Sequence, residues 1–452
     1  MKIIVVGCGK IGSSIISSLV AEGHDVTVID KNPRVIEDIT NSYDVIGACG
    51  IGTDCDILEE AGVDKADVFV AATNSDELNM LSCFMAKTLG AKYTVARIRD
   101  REYNDSSLGY MQQKLQLSMS INPEKYTAHD IYNVLKLPGA VHIETFSTRN
   151  FEIVELVLKD DSPLVGTRIM DLRKQQSASF LVCAVGRNGE IVIPDGRFEL
   201  KGGDRIALTA TPNEILKLLR NMKLVKKQCK NVMVLGAGRI AYYLAKVLLS
   251  QGSSVTVIDK DANRCKEFSE ALPNATVIHG DGAKQDLLLE EGLDNMDAFV
   301  ALTGSDESNI LISHYATTRD VSKVVTKVNR AEFLPISKHL GLDTVVSPIR
   351  TISDVVVRYA RALQNTVGSN VEKLYKIMEG EVEALMFNVH PDFKYIGVPF
   401  KDIKFKPNIL IGGLLRDRKA LIPTGFDSIQ EGDKVVVISA GHKLCDLEDI
   451  ID

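Results

Sequence analysis

The 452-residue chain has no apolar run near the ~18–20 residues that a membrane-spanning helix needs. Its amino end runs from Met1-Lys2 straight into a short apolar strand and a glycine loop. It lacks the long apolar stretch and small-residue cleavage site of a signal peptide. The expectation is a cytoplasmic protein. Basic residues are in the minority: Lys+Arg number 53 against 60 Asp+Glu, for a formal net charge of −7. That balance argues against bulk nucleic-acid binding, so no nucleic-acid partner is expected. None of the eight cysteines belongs to a Cys-x-x-Cys pair or has a histidine at zinc-finger spacing, and the eight histidines are scattered. No metal site is expected, and the cysteines read as free thiols in a reducing compartment. The phosphate loop of P-loop NTPases is absent as well.

The glycine loops are what the chain does have. Gly7-Cys8-Gly9-Lys10-Ile11-Gly12 follows a short apolar strand, and Gly236-Ala237-Gly238-Arg239-Ile240-Ala241 follows another. Each is succeeded by a second strand ending in the same residues, Val26-Thr27-Val28-Ile29-Asp30 and Val255-Thr256-Val257-Ile258-Asp259. Both pairs of landmarks stand 229 residues apart (Gly7 to Gly236, Asp30 to Asp259), so the chain is a duplicated unit. In such a loop the first glycine permits a tight turn, the second lets a pyrophosphate approach the backbone, and the third lets helix pack on sheet. The helix N-terminus then offers unpaired N–H groups to the phosphates. Asp30 and Asp259 are placed to accept hydrogen bonds from ribose hydroxyls, and they would repel a 2′-phosphate. NAD(H) or an adenosine nucleotide is therefore expected over NADP(H). Lys31 and Lys260, next to the acids, either meet phosphate or are solvated.

The first third alternates strands (Ile3–Val6, Asp25–Ile29, Asp44–Ile46, Val68–Ala72, Tyr93–Ile98) with helices, which implies a parallel sheet. A long helix near Pro123–Leu135 has no strand to return to and reads as a crossover leading out. Residues 140–210 are strand-rich with turn signals at Arg187-Asn188-Gly189, Pro194-Asp195-Gly196 and Lys201-Gly202-Gly203-Asp204. The basic connector Lys223–Lys230 follows, and then the pattern repeats. Ala72-Thr73-Asn74-Ser75-Asp76-Glu77-Leu78-Asn79 matches Leu302-Thr303-Gly304-Ser305-Asp306-Glu307-Ser308-Asn309, and Ile193-Pro194-Asp195-Gly196 answers Ile422-Pro423-Thr424-Gly425.

Thr73-Asn74 and Thr303-Gly304 end the fourth strands, where ligands of open α/β sheets sit; the bland alternative is a polar loop capping the next helix. Arg97-Ile98-Arg99 and Lys327-Val328-Asn329, at the ends of the fifth strands, carry cations for a phosphate or for solvent. After strand three the halves differ. Gly280-Asp281-Gly282 places an acid where an adenine amino group would lie, and Gly50-Ile51-Gly52 does not. Neither half has the His, Lys or Tyr-x-x-x-Lys relay that a dehydrogenase needs beside its cofactor. No catalytic residue is assigned. An NAD-dependent oxidoreductase stands as the alternative, and a scaffold or redox sensor using Cys8 as a third reading.

The tandem order, the loop Gly7-x-Gly9-x-x-Gly12, the acid Asp30 and the Thr-Asn-Ser-Asp-Glu run resemble RCK (KTN) domains. The resemblance covers essentially the whole chain. It implies an α/β fold of two Rossmann-like parallel-sheet domains (RCK-N, 1–135 and 230–365), each followed by a small α+β domain (RCK-C, 136–222 and 366–452). It implies a cytoplasmic regulatory subunit, peripheral on the inner face of the cell membrane. That subunit would form a homo-oligomeric ring (dimer or tetramer) and gate a membrane potassium-translocating partner (TrkH-like or KtrB-like). NAD(H) and ATP/ADP are the ligand classes it implies. Carried over by motif, the first site is Gly7, Cys8, Gly9, Lys10, Ile11, Asp30, Thr73, Asn74 and Ile98. The second is Gly236, Ala237, Gly238, Arg239, Ile240, Asp259, Asp281 and Lys327. Ala241 departs from the third glycine.

Overall fold

The computed structural model describes the chain except residues 104, 146–150, 177, 223–228, 320, 366–370, 418 and 445. Most of the expected Lys223–Lys230 connector, and Cys445, therefore lie outside the described residues. Two compact units result, one of Met1–Thr127 with Ser347–Arg361 and one of Ala128–Val346 with Ala362–Asp452.

The first unit alternates β1 (Lys2–Val6), α1 (Lys10–Ala21), β2 (Asp25–Asp30), α2 (Pro33–Ser42), β3 (Ile46–Cys49), α3 (Cys55–Glu60), β4 (Val68–Ala71), α4 (Asp76–Thr88), β5 (Tyr93–Arg97), α5 (Asp105–Lys114) and β6 (Met119–Ile121). The sheet is parallel in the order β3-β2-β1-β4-β5-β6. All four residues of β4 are buried, as expected where helices cover both faces of a parallel sheet. The third strand lies at Ile46–Cys49 rather than at Asp44–Ile46. Ile46 pairs with Thr27 and Cys49 with Asp30. Its apolar signal misleads because Ile46 is exposed, while small residues let α2 approach: a Cβ on Gly47 would stand 2.6 Å from Ile36 Cγ2. A fifth helix and a sixth strand, α5 and β6, extend the sheet beyond the expected five strands. The segment Ser347–Arg361 packs within this unit. Ser353 Oγ lies 2.8 Å from Ser14 Oγ, and Arg361 Nε donates to Glu22 Oε2 at 2.8 Å.

The helix α6 (Pro123–Lys136) begins in the first unit and ends in the second, where Ala128, Ile131 and Leu135 share a core with Val232, Ala241 and Leu244. The next elements are β7 (His142–Thr145), β8 (Glu152–Val157), α7 (Ile169–Gln176), β9 (Phe180–Arg187), β10 (Glu190–Val192), β11 (Arg205–Ala210) and α8 (Pro212–Asn221). Their strands form an antiparallel sheet ordered β10-β9-β11-β8-β7. Asn188 and Gly189, both at positive φ, make its tight hairpin.

The second nucleotide-type sheet comes from β12 (Asn231–Leu235), α9 (Arg239–Ser250), β13 (Ser254–Asp259), α10 (Ala262–Ala271), β14 (Thr276–His279), α11 (Gln285–Glu290), β15 (Ala298–Ala301), α12 (Asp306–Thr318), β16 (Lys323–Lys327), α13 (Leu334–His339) and β17 (Val345–Val346). Its order, β14-β13-β12-β15-β16-β17, repeats the first. The chain closes with α14 (Pro348–Asn365), β18 (Val371–Ile377), β19 (Val382–Asn388), β20 (Ile409–Arg416), β21 (Lys419–Leu421) and β22 (Lys434–Ala440). These last strands are antiparallel in the order β18-β19-β22-β20-β21.

The two antiparallel sheets share a core. Phe151, Ile153 and Ala207 pack with Tyr375, Met386 and Val436. A Cβ on Gly413 would stand 2.1 Å from the Phe151 ring, and Thr209 Oγ1 donates to Gly412 O at 2.7 Å. The fold is thus α/β, with two parallel Rossmann-like sheets, each followed by an antiparallel sheet.

Candidate nucleotide-binding sites

Each glycine loop joins the first strand of its sheet to the helix that follows. Gly7 has φ +89°, and a Cβ there would stand 2.8 Å from Thr73 N, so only glycine fits the turn. Above Gly9 and Gly238 a Cβ would meet nothing within 4 Å. Both residues are helix N-caps without a side-chain cap, so the first-turn N–H groups of α1 and α9 are left to a ligand. Lys10 and Arg239 are exposed at these N-termini, whereas Ile11 is half-buried and Ile240 buried.

The acids are held identically. Asp30 accepts Cys8 N at Oδ2 (2.8 Å) and Asn32 N at Oδ1 (2.9 Å). Asp259 accepts Ala237 N at Oδ2 (2.7 Å) and Asp261 N at Oδ1 (2.9 Å). Each oxygen keeps a second lone pair for a ribose hydroxyl. The donor set therefore fits a nucleotide's phosphate and ribose: open space at the loop, uncapped helix N–H groups, and a carboxylate fixed beside them. Lys31 and Lys260 are exposed. The Cys8 side chain lies beneath the loop; burial, then the Asp30 carboxylate, push its thiol up to about 12. A protonated, buried thiol is a poor nucleophile, which speaks against a redox role for Cys8.

At the fourth-strand ends, Thr73 N and Oγ1 both donate to Asn79 Oδ1 (2.8 and 2.7 Å), and Asn79 Nδ2 donates to Arg97 O at 2.8 Å. Thr303, Asn309 and Lys327 repeat the arrangement at 2.9, 2.7 and 3.0 Å. Ser75 and Ser305 cap the following helices, accepting from Leu78 N and Ser308 N. Asn74 and Gly304 are exposed beside the loops. The cations at the fifth-strand ends turn back onto carbonyls: Arg97 Nη1 donates to Thr73 O at 3.0 Å and Lys327 Nζ to Leu302 O at 3.2 Å. Ile98 is a core residue beneath the site. Asp281 lies on the exposed turn after β14 and accepts Ala283 N at 3.1 Å.

The chain has relatives in sequence and in fold. The TrkA-N domain model matches residues 3–115 and 232–348, and the TrkA-C domain model residues 153–223. The Trk system potassium uptake protein TrkA of Vibrio alginolyticus is 31% identical over 450 residues, covering 98% of this chain and 96% of that one. A TrkA homolog of Archaeoglobus fulgidus is 30% identical over 450 residues, with 100% of both chains covered. The chain belongs to the TrkA family. Among solved structures, the GsuK RCK domain superposes with a TM-score of 0.63 at 17% identity, covering 97% of this chain and 92% of that one. The GsuK channel bound to NAD gives 0.63 at 16% identity, covering 97% and 77%. These structures share the fold.

Within this TrkA-family chain the third loop position distinguishes the halves. A Cβ on Gly12 would stand 1.8 Å from Gly7 O, whereas Ala241 carries its methyl group fully buried in the core of the second sheet. Sequence reasoning missed the residues that hold the rim. The side chains of Asn79 and Asn309 are fully buried, and Asp76 Oδ2 accepts Arg99 N and Asp100 N, both at 2.7 Å. Asp306 does the same for Asn329 N and Arg330 N. Their recurrence in both Ser-Asp-Glu-x-Asn runs was the available signal.

Proposed function

We propose that the chain is the regulatory subunit of a potassium-uptake system: it binds NAD(H) or adenine nucleotides at both loops and gates a membrane potassium-translocating subunit, TrkH-like or KtrB-like. The observation that carries this reading is the paired ribose acid. Asp30 and Asp259 are each fixed by two backbone N–H groups beside an open, uncapped helix N-terminus. Family membership supports the potassium-transport role, because the relatives are named as potassium uptake proteins. The shared fold with a channel whose structure holds NAD supports the choice of ligand. In this reading the chain is a peripheral subunit on the cytoplasmic face and works as a homo-oligomeric ring; no helix among the described residues is long and apolar enough to cross a membrane.

A nucleotide gates only through different affinities for two states of the assembly. The site residues proposed for this are those of the two loops, the two acids, Thr73, Asn74, Ile98, Asp281 and Lys327. The test is potassium flux through the chain reconstituted with its membrane partner. Flux is expected to change on adding at least one of NAD, NADH, ATP or ADP. Unchanged flux with all four sinks the gating reading.

A further inference from the structure

The two loops after the third strands share a backbone and differ in one side chain. Gly50 N donates to Asp30 O at 3.0 Å, and Gly280 N donates to Asp259 O at 2.9 Å. Asp54 N closes a turn on Ile51 O, and Lys284 N closes the same turn on Asp281 O, both at 3.0 Å. A Cβ on Gly52 would stand 2.4 Å from Val6 Cγ1, and one on Gly282 2.1 Å from Leu235 Cδ1, so each loop passes equally close over the first strand of its sheet. On this common frame residue 51 is isoleucine, 53% exposed, and residue 281 is an exposed aspartate.

The sheet order fixes what these side chains face. A dinucleotide lies across the carboxyl ends of the strands, with its pyrophosphate on the loop after the first strand and its ribose on the acid ending the second. In both sheets the third strand is the next neighbour beyond the second. Cys49 pairs with Asp30 and His279 with Asp259, so the loops begin directly beside the ribose acids. The group attached to the ribose on that side is the base. With a dinucleotide so placed, residues 51 and 281 would stand at its edge.

Building on the nucleotide-binding reading above, we infer that the two sites differ in base selectivity: the second reads the 6-amino group of adenine through Asp281, whereas the first, with Ile51, does not read that group. A carboxylate only accepts hydrogen bonds. It welcomes the amino donor of adenine and opposes the 6-oxo group of hypoxanthine, which is itself an acceptor. Asp281 Oδ1 already takes Ala283 N, and the second oxygen remains for the base. Ile51 offers apolar contact, which is indifferent to the exchange of amino for oxo. A hydrogen bond to a charged group is worth a tenfold or larger preference. At an exposed carboxylate the low end of that range applies, about tenfold.

The test titrates the full chain by calorimetry with two matched pairs: NAD against nicotinamide hypoxanthine dinucleotide, and ADP against IDP. Asp30→Ala isolates the second site and Asp259→Ala the first. The second site is expected to bind the adenine member of a pair about tenfold more tightly, and the first to bind both members within about twofold. Adding Ile51→Asp should confer the preference on the first site, and Asp281→Asn, which keeps an acceptor for Ala283 N, should weaken it in the second. Equal selectivity at the two sites, or a preference that does not follow residues 51 and 281, overturns this inference and leaves the nucleotide-binding reading standing. Absence of binding by every nucleotide at both sites overturns both.

Discussion

Gly12 lies so close beneath Gly7 that a methyl group on it would stand 1.8 Å from the Gly7 carbonyl oxygen. Rigid backbone atoms cannot yield as a side chain can, so the loop itself must move. Gly12→Ala is expected to destabilise the first unit by about 1–3 kcal/mol and to abolish nucleotide binding at the first site while sparing the second. Thermal denaturation and a binding titration check both effects. Unchanged binding would show that the loop tolerates the shift. The second loop carries Ala241 at the same position, with its methyl group fully buried in the core of that sheet. The placement of Asp30 and Asp259 beside the glycine loops was legible in the sequence, because each acid ends the strand that follows such a loop. The burial of Cys8 against the Asp30 carboxylate, which raises its thiol, was not legible, since it follows from the tertiary packing of the loop.

At the scale of elements, Asn79 joins three of them. From α4 it accepts Thr73 N and Oγ1 at the end of β4 and donates to Arg97 O at the end of β5. Its side chain is fully buried, so removing it strands donors and acceptors away from water. Asn79→Ala is expected to cost about 2–4 kcal/mol in urea unfolding and to loosen the Thr73 rim, with Asn309→Ala doing the same in the second unit. A loss below about 0.5 kcal/mol would mean that the network is ornamental. The parallel strands were legible because they are nearly continuous apolar runs. Three features were not. The third strand sits at a sheet edge where Gly47 lets α2 approach and Ile46 is exposed, so hydrophobicity misplaced it. The three-residue β6 has too little pattern to announce itself. The hydrogen bonds of Arg97 and Lys327 to the carbonyls of Thr73 and Leu302 were not legible either, because only the tertiary structure brings these groups together.

At the scale of the whole molecule, duplication supplies two nucleotide-type sheets and two antiparallel sheets, and the antiparallel pair shares one core in the second unit. Buried charge is part of that unit. Lys323 Nζ donates to Ala140 O at 2.5 Å and to Thr344 Oγ1 at 2.7 Å, joining β16 to the peptide that leads into β7. Burial pulls its ammonium down from 10.5 to about 8, against the opposing pull of Asp343. Between those values the unfolded chain holds the proton that the folded chain has released, so this group's contribution to stability rises with pH. Lys323→Met should therefore gain more stability over the parent at pH 7 than at pH 9.5 in urea unfolding. A difference between the two chains that is independent of pH would contradict it.

In the proposed function both loops hold a nucleotide through Asp30 and Asp259. Calorimetric titration of the full chain with NAD and with ADP tests it most directly. Two sites per chain are predicted for at least one of these ligands. Asp30→Ala should remove one site, Asp259→Ala the other, and the double variant both. Binding that persists in the double variant, or no binding to the parent chain, would contradict nucleotide binding through these two acids.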